Sequence, residues 1–330
     1  LSGELSLLFC EAMKGVYMIR IFKTIDGRIR QEDLITDGCW VDLTNPTATE
    51  ILEIADTYKI DIEHLKASLD EEERSRVEVE KDYTLILVDI PTIEERNGKD
   101  WYVTIPLGII ISETNIFTIC LEDTPILKAF ADGRIRDFHT SKKTRFILQV
   151  LYKNASMFLN YLRVIDKHSE IIERKLHAST KNKEVIELLE LSKSLVYFNT
   201  SLRSNEVVFE KLLKNDKIKQ YPEDEELLED VIIENKQAIE MAGIYSGILS
   251  GTMDAFASVI SNNLNIVMKY LAVVTIVLSI PNMISGFYGM NVNSDGVPFA
   301  SSPYGFWIVI LIAIIISSAV AFILAKKDLF

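Results

Sequence analysis

The chain has 330 residues, 35 Lys+Arg against 48 Asp+Glu, a formal net charge of −13 and 48% hydrophobic residues. That apolar content excludes a disordered acidic tail, and an acidic chain without a dense Lys/Arg run is poorly suited to nucleic acid, whose phosphates demand cations. The averages hide a division: Tyr270 to Ala325 holds one charged residue, Asp295, while 33 basic and 46 acidic side chains precede Tyr270 and carry the whole −13. An acidic soluble body precedes a membrane tail, and multivalent cations are its natural partners. Cys10, Cys39 and Cys120 lie far apart with no C-x-x-C pairing, which argues against a disulfide framework or a zinc ribbon and points to a cytosolic body.

The chain opens on Leu, and its short apolar patch, Leu5 to Cys10, has no basic residue before it, unlike a signal peptide. Met18, followed by Ile-Arg-Ile-Phe, reads as a natural start on a first strand, so residues 1–17 read as upstream sequence. From 18 to 138 the pattern changes every ten residues or so, as in a small α/β domain. Val77 to Ile90 and Tyr102 to Leu121 are rich in Val, Ile, Thr, Tyr and Phe, with Pro91, Asn97-Gly98 and Glu113 to Asn115 as breaks, and read as consecutive strands. Thr47 to Tyr58 and Asp61 to Leu69 read as helices.

From Thr140 to Lys219 there is no Gly or Pro, and apolar residues recur at three and four, among them Phe146, Val150, Phe158, Leu162 and, later, Leu188, Leu191, Leu195 and Phe198. Two long antiparallel helices follow, with a soft joint at Ala178 to Asn182. Pro222, with Glu223, Asp224 and Glu225, starts a third helix. Gly243, Gly247 and Gly251 suggest close helix contact more than a stop, so this helix runs to about Gly286, on the order of 95 Å at 1.5 Å per residue. Residues 139–262 therefore read as a long-helix stalk and 263–330 as the membrane region, with spans about 268–287 and 305–325. The fold class is an α+β cytoplasmic domain, a long helical stalk and two C-terminal transmembrane helices.

The second span is almost wholly apolar, between Trp307 and Lys326-Lys327. The first carries an ordered set of small and polar residues: Asn265, Met268, Ala272, Thr275, Ser279, Asn282 and Gly286 recur at three and four and form one stripe on a helix. Such a stripe serves either helix packing or a water-facing wall. Lys269 before the first span, Lys326 and Lys327 after the second, and no Lys or Arg from Tyr288 to Tyr304 put both ends inside. One striped helix cannot enclose water, so a pore reading requires a ring of identical subunits.

Tyr288-Gly289-Met290-Asn291 stands at the outer end of the striped helix. Here the sequence resembles the CorA family of magnesium transporters, whose signature is Gly-Met-Asn after the first of two C-terminal spans. The resemblance covers Met18 to Phe330 and includes the short outer loop, the terminal basic pair and the helical stalk behind an α/β domain. It implies a homopentameric funnel in the cell (inner) membrane, with the first span lining the pore. It also implies that Asn291 offers a ring of amide oxygens to the incoming ion, while Tyr288, Gly289 and Met290 hold the loop. Asn265, Met268 and Leu271 match the inner constriction, Leu271 lying beside the stripe and not on it. Asp230 and Asp254 match regulatory metal positions on the stalk, and Glu94 a looser one in the α/β domain, where Mg2+ shared between subunits would hold the closed state.

Mg2+ surrenders its water reluctantly, so neutral amides can hold it hydrated without trapping it. The outer segment Val292 to Pro298 departs from the family's Met-Pro-Glu-Leu-like pattern, which leaves Zn2+, Co2+ or Ni2+ as alternative cargo. Asp295 reads either as a concentrator of cations or as a turn residue beside Gly296. No Walker A string, kinase signature, H-E-x-x-H or nucleophile elbow is present, so the expectation is passive, membrane-potential-driven influx, with no enzyme activity and no organic cofactor. The reading of another class is a membrane-tethered scaffold or sensor. His64, His139, His168 and His177 share no metal-ligand spacing and read as ordinary histidines. The acidic runs Asp70 to Glu73 and Glu223 to Glu226 read as solvated faces.

Overall fold

In the computed structural model the described residues are 19–96, 98–178, 182–214, 221–291, 296–299 and 302–326. The segment through Met18, Asn97, the joint at Ser179 to Lys181, Asp295 and Lys327 lie outside them. The chain divides into two compact units, residues 1–251 and 252–330.

In the first unit seven strands form one sheet: β1 (Ile19–Ile25), β2 (Arg28–Glu32), β3 (Trp40–Thr44), β4 (Arg76–Val79), β5 (Tyr83–Arg96), β6 (Lys99–Ser112) and β7 (Ile116–Cys120). Their order is β2-β1-β3-β7-β6-β5-β4, antiparallel except for the parallel pair β3–β7. Side chains alternate between two apolar layers, as the period of two in a strand requires. Trp40, Ile86 and Ile109 face one core, with Phe130, Phe146, Val208 and Phe209. Val41, Leu85 and Ile110 face the other, with Ile51, Ile54 and Leu65. The second layer is supplied by α1 (Ala48–Tyr58) and α2 (Ile62–Ala67), the first by α3 (Pro125–Ala131), α4 (Lys143–Ala178) and α5 (Asn182–Leu213).

Helix starts follow local chemistry. Thr47 and Glu50 close a capping box on α1, and the Asp61 carboxylate accepts from the Glu63 N–H at the head of α2. Phe158 of α4 meets Phe198 of α5 edge-on at 5.1 Å between ring centroids, the register of an antiparallel pair. Asp42, fully buried on β3, accepts from Arg20 at 2.6 Å and from the Thr118 hydroxyl at 2.7 Å, so its charge is matched inside the sheet. Burial pushes the Cys120 thiol up to about 12, which keeps it protonated; Cys39 and Cys120 are both free and buried.

Two strand expectations need correction. Pro91 does not end a strand: β5 runs through it to Arg96, with Pro91 opposite Thr104. Its neighbour β4 reaches only Leu87, so the far edge is open at Pro91 and the missing N–H costs no ladder bond there. Nor is Val77 to Ile90 one strand, because the chain reverses between Val79 and Tyr83, where the Glu80 N–H donates to the Tyr83 carbonyl. The third long helix, α6, spans Pro222–Tyr288 without interruption, and α7 spans Gly305–Lys326. Gly243, Gly247 and Gly251 face open space, so no contact among the described residues requires them.

Gly108 on β6 makes room for the end of α2. A Cβ at this position would lie 2.6 Å from the Ser68 Cβ and closer still to its hydroxyl. Gly108→Ala should therefore cost the full chain about 1–3 kcal/mol by overpacking, measured by denaturant unfolding of the detergent-solubilised protein. Adding Ser68→Gly should recover most of that loss.

Candidate ion-conduction site

A helix passing through hydrocarbon must satisfy its own polar groups. Two helices among the described residues are long and apolar enough to cross a membrane, the last part of α6 and the whole of α7. On α6, Asn265, Met268, Leu271, Ala272, Thr275, Ser279, Asn282 and Gly286 are all exposed within the chain. Val273 is buried, and Val274, Val277, Ile280, Pro281 and Ile284 are half-buried. The covered face is thus bulky and apolar, and the uncovered remainder carries the polar stripe together with Ile276, Leu278, Met283 and Phe287. On α7 the covered positions include Gly305, Ala313, Ser317 and Leu324, several of them small, as close helix packing in lipid favours.

The hydroxyls along α6 are bonded to their own helix. Thr275 donates to the Leu271 carbonyl at 2.8 Å, Ser279 to Ile276 at 2.8 Å and Ser285 to Asn282 at 3.0 Å. The helix continues through Pro281, whose ring removes one backbone donor.

At its C-terminal end α6 stops at Tyr288. The Gly289 N–H donates to the Ser285 carbonyl at 2.9 Å and the Met290 N–H to the Phe287 carbonyl at 3.4 Å, which winds the signature residues onto the last turn. Asn291 follows, exposed and outside any regular element. The Tyr288 hydroxyl donates to the Pro298 carbonyl at 3.1 Å and ties the helix end to the returning limb of the loop. That limb is itself seated on α7: Phe299 has φ +64, and its carbonyl lies where a side chain on Gly305 would begin. Sequence reading passed over Pro298 and Gly305; the one available signal was a glycine directly after Pro303-Tyr304 at the head of an apolar run.

Of the three candidate regulatory carboxylates, Glu94 lies near the tip of the β5–β6 hairpin and accepts from Arg96 Nε at 2.7 Å. Arg96 in turn covers the Trp101 ring, 5.0 Å from its centroid. Asp230 and Asp254 are exposed on α6, and among the described residues neither forms an ion pair. Glu94 and Asp230 belong to the first unit and Asp254 to the second.

Residues 36–327 match the family model described as CorA-like Mg2+ transporter protein. The chain is 29% identical over 297 residues to the cobalt/magnesium transport protein CorA of Methanocaldococcus jannaschii, covering 87% of this chain and 90% of that one. The complete structure of the CorA magnesium transporter from the same organism superposes with a TM-score of 0.82 at 25% identity, over 96% of this chain and 99% of the other. The full-length CmaX protein shares the fold at 14% identity and a TM-score of 0.67, over 96% of this chain and 99% of that one.

The Tyr288–Pro298 bond yields a direct expectation. Tyr288→Phe should lower the stability of the purified full chain by about 1 kcal/mol and speed protease cleavage between the two membrane helices. Both are read on detergent-solubilised protein, with insertion into the membrane unchanged.

Proposed function

Because the chain belongs to the CorA-like Mg2+ transporter family, we propose that it is a passive Mg2+ influx channel, a homopentamer in the cell (inner) membrane with both termini in the cytoplasm. In this reading residues 18–138 form the cytoplasmic α/β domain, 139–262 the stalk and 263–330 the membrane region. The observation that carries it is the segregation of faces on α6: Thr275, Ser279 and Asn282 lie on the side left uncovered within the chain, and Val273 on the covered side. Identical stripes from several subunits would surround a wet axis lined by Asn265, Met268, Leu271, Ala272, Thr275, Ser279, Asn282 and Gly286. Gly289, Met290 and Asn291 would form its outer mouth, with Tyr288 bracing them.

The ring of Asn291 amides would hold the ion through its waters, since Mg2+ keeps its hydration shell unless octahedral oxygen ligands replace it. Neutral ligands leave the ion free to move inward. At about 2.3 kcal/mol per charge per 100 mV, a dication entering a negative interior gains on the order of 4.6 kcal/mol, so no coupled reaction is required.

Closure would come from internal Mg2+ held between subunits by Asp230, Asp254 and Glu94. Exposed aspartates with no ion-pair partner among the described residues of their own chain support this role for Asp230 and Asp254. Glu94 would have to exchange Arg96 for the metal.

Two measurements test the reading. Mg2+ uptake into proteoliposomes under an inside-negative potential should fall at least about ten-fold in Asn291→Ala, a loss of about 1.4 kcal/mol in transfer, with the pentamer retained on size exclusion. Undiminished uptake, or none in the unaltered chain, would overturn it. The double variant Asp230→Ala/Asp254→Ala should conduct at internal Mg2+ levels that silence the parent protein; retained inhibition would remove these residues from the gate.

A further inference from the structure

The strand turn that the sequence concealed creates a cluster outside the ion path. Glu78 lies on β4 and Glu80 directly follows the strand's end. Both lie beside His64 of α2. The His64 Nε2 lies 3.0 Å from a Glu78 carboxylate oxygen, and one ligand atom from each of His64, Glu78 and Glu80 falls within 4.8 Å of the others. His64 and Glu78 are half-buried, and Glu80 is exposed and open to solvent.

We propose that His64, Glu78 and Glu80 bind a transition-metal dication of the Zn2+, Co2+ or Ni2+ class, with water completing the coordination shell. The site is independent of the transport reading. Ligands at about 2.1 Å from such an ion stand about 3.4 Å apart in tetrahedral geometry. The His64–Glu78 separation of 3.0 Å is close to that value, and a ligand atom of the exposed Glu80 lies within 4.8 Å of both.

The histidine is already oriented for the task. Its Nδ1 is 2.8 Å from the Tyr83 hydroxyl oxygen, which also accepts the Asp61 N–H at 3.1 Å. With the ring proton on Nδ1, donating to Tyr83, the Nε2 lone pair faces the Glu78 carboxylate. Metal-ligating histidines are commonly fixed through the other ring nitrogen in this way. Glu78 uses its second oxygen to accept from Arg76, which also donates to Glu73 at 2.6 Å, so one oxygen remains for the ion. Glu73 and Glu78 share one guanidinium, and Glu80 adds a further negative charge, a surplus that suits a dication. Imidazole nitrogen selects against Mg2+, which prefers oxygen and retains water.

The test is a Co2+ titration of the full-length detergent-solubilised protein in excess Mg2+, read by visible d–d absorption. A saturable band from a nitrogen-ligated Co2+, bleached by Zn2+, is expected. Glu80→Gln and His64→Gln should each weaken it at least about ten-fold, while Asn291→Ala should leave it unchanged. Glu80 is exposed in a turn, so Glu80→Gln should fold as the parent does, verified by its elution and Tm. Absence of the band, or a band indifferent to Glu80→Gln and His64→Gln, overturns the site and leaves His64 as a clasp between α2 and β4.

Discussion

Hydrocarbon offers no hydrogen-bond partners, and this one constraint organises the membrane half of the chain. A peptide group there must bond within its own segment, so α6 stays helical through Pro281 and up to Tyr288. The same constraint governs the side chains. Thr275 and Ser279 return their hydroxyl protons to carbonyls of the same helix and can therefore sit on a transmembrane segment without a partner from elsewhere. Polar residues on such a helix are tolerated when so satisfied, and their restriction to one face then reflects what that face meets.

The soluble unit obeys a different solvent. Water supplies partners everywhere except inside the sheet, so a charge that enters it is matched within the protein. Asp42 is met by Arg20 and Thr118, and the Trp40 indole N–H donates to the same Thr118 hydroxyl at 2.8 Å. These contacts hold β1, β3 and β7 together at the parallel pair, where no short turn fixes the register. The hairpins need no such device because the chain itself sets their alignment. Burial costs and local connectivity thus divide the work of positioning β4, β5 and the surfaces they carry.

What could be read from the sequence was what local chemistry decides. Pro222 followed by three acids announces a helix start, and the absence of any stop before Tyr288 matches the unbroken α6. The long apolar run ending at Ala325 needs no tertiary knowledge either. Pro91 misled because a proline's cost in a strand depends on whether a neighbour occupies that edge, and β4 ends too early for that to be visible in the sequence. The joining of β3 to β7, more than seventy positions apart, left no local trace. His64 was likewise set aside for want of ligand spacing, since its two carboxylate neighbours lie beyond an intervening loop. After the first span Tyr288 was legible as part of a signature, whereas its bond to the Pro298 carbonyl is a product of the fold.

The inward-turned protons of Thr275 and Ser279 have an electrical consequence. With those hydrogens spent on the helix, the hydroxyls show only lone pairs to their surroundings. Water around a cation directs its hydrogens outward and finds acceptors along such a wall; water around an anion directs its oxygens outward and meets no donor from these groups. Discrimination by sign can therefore arise from how neutral dipoles are aimed, and the segment from Tyr270 to Tyr288 holds no carboxylate.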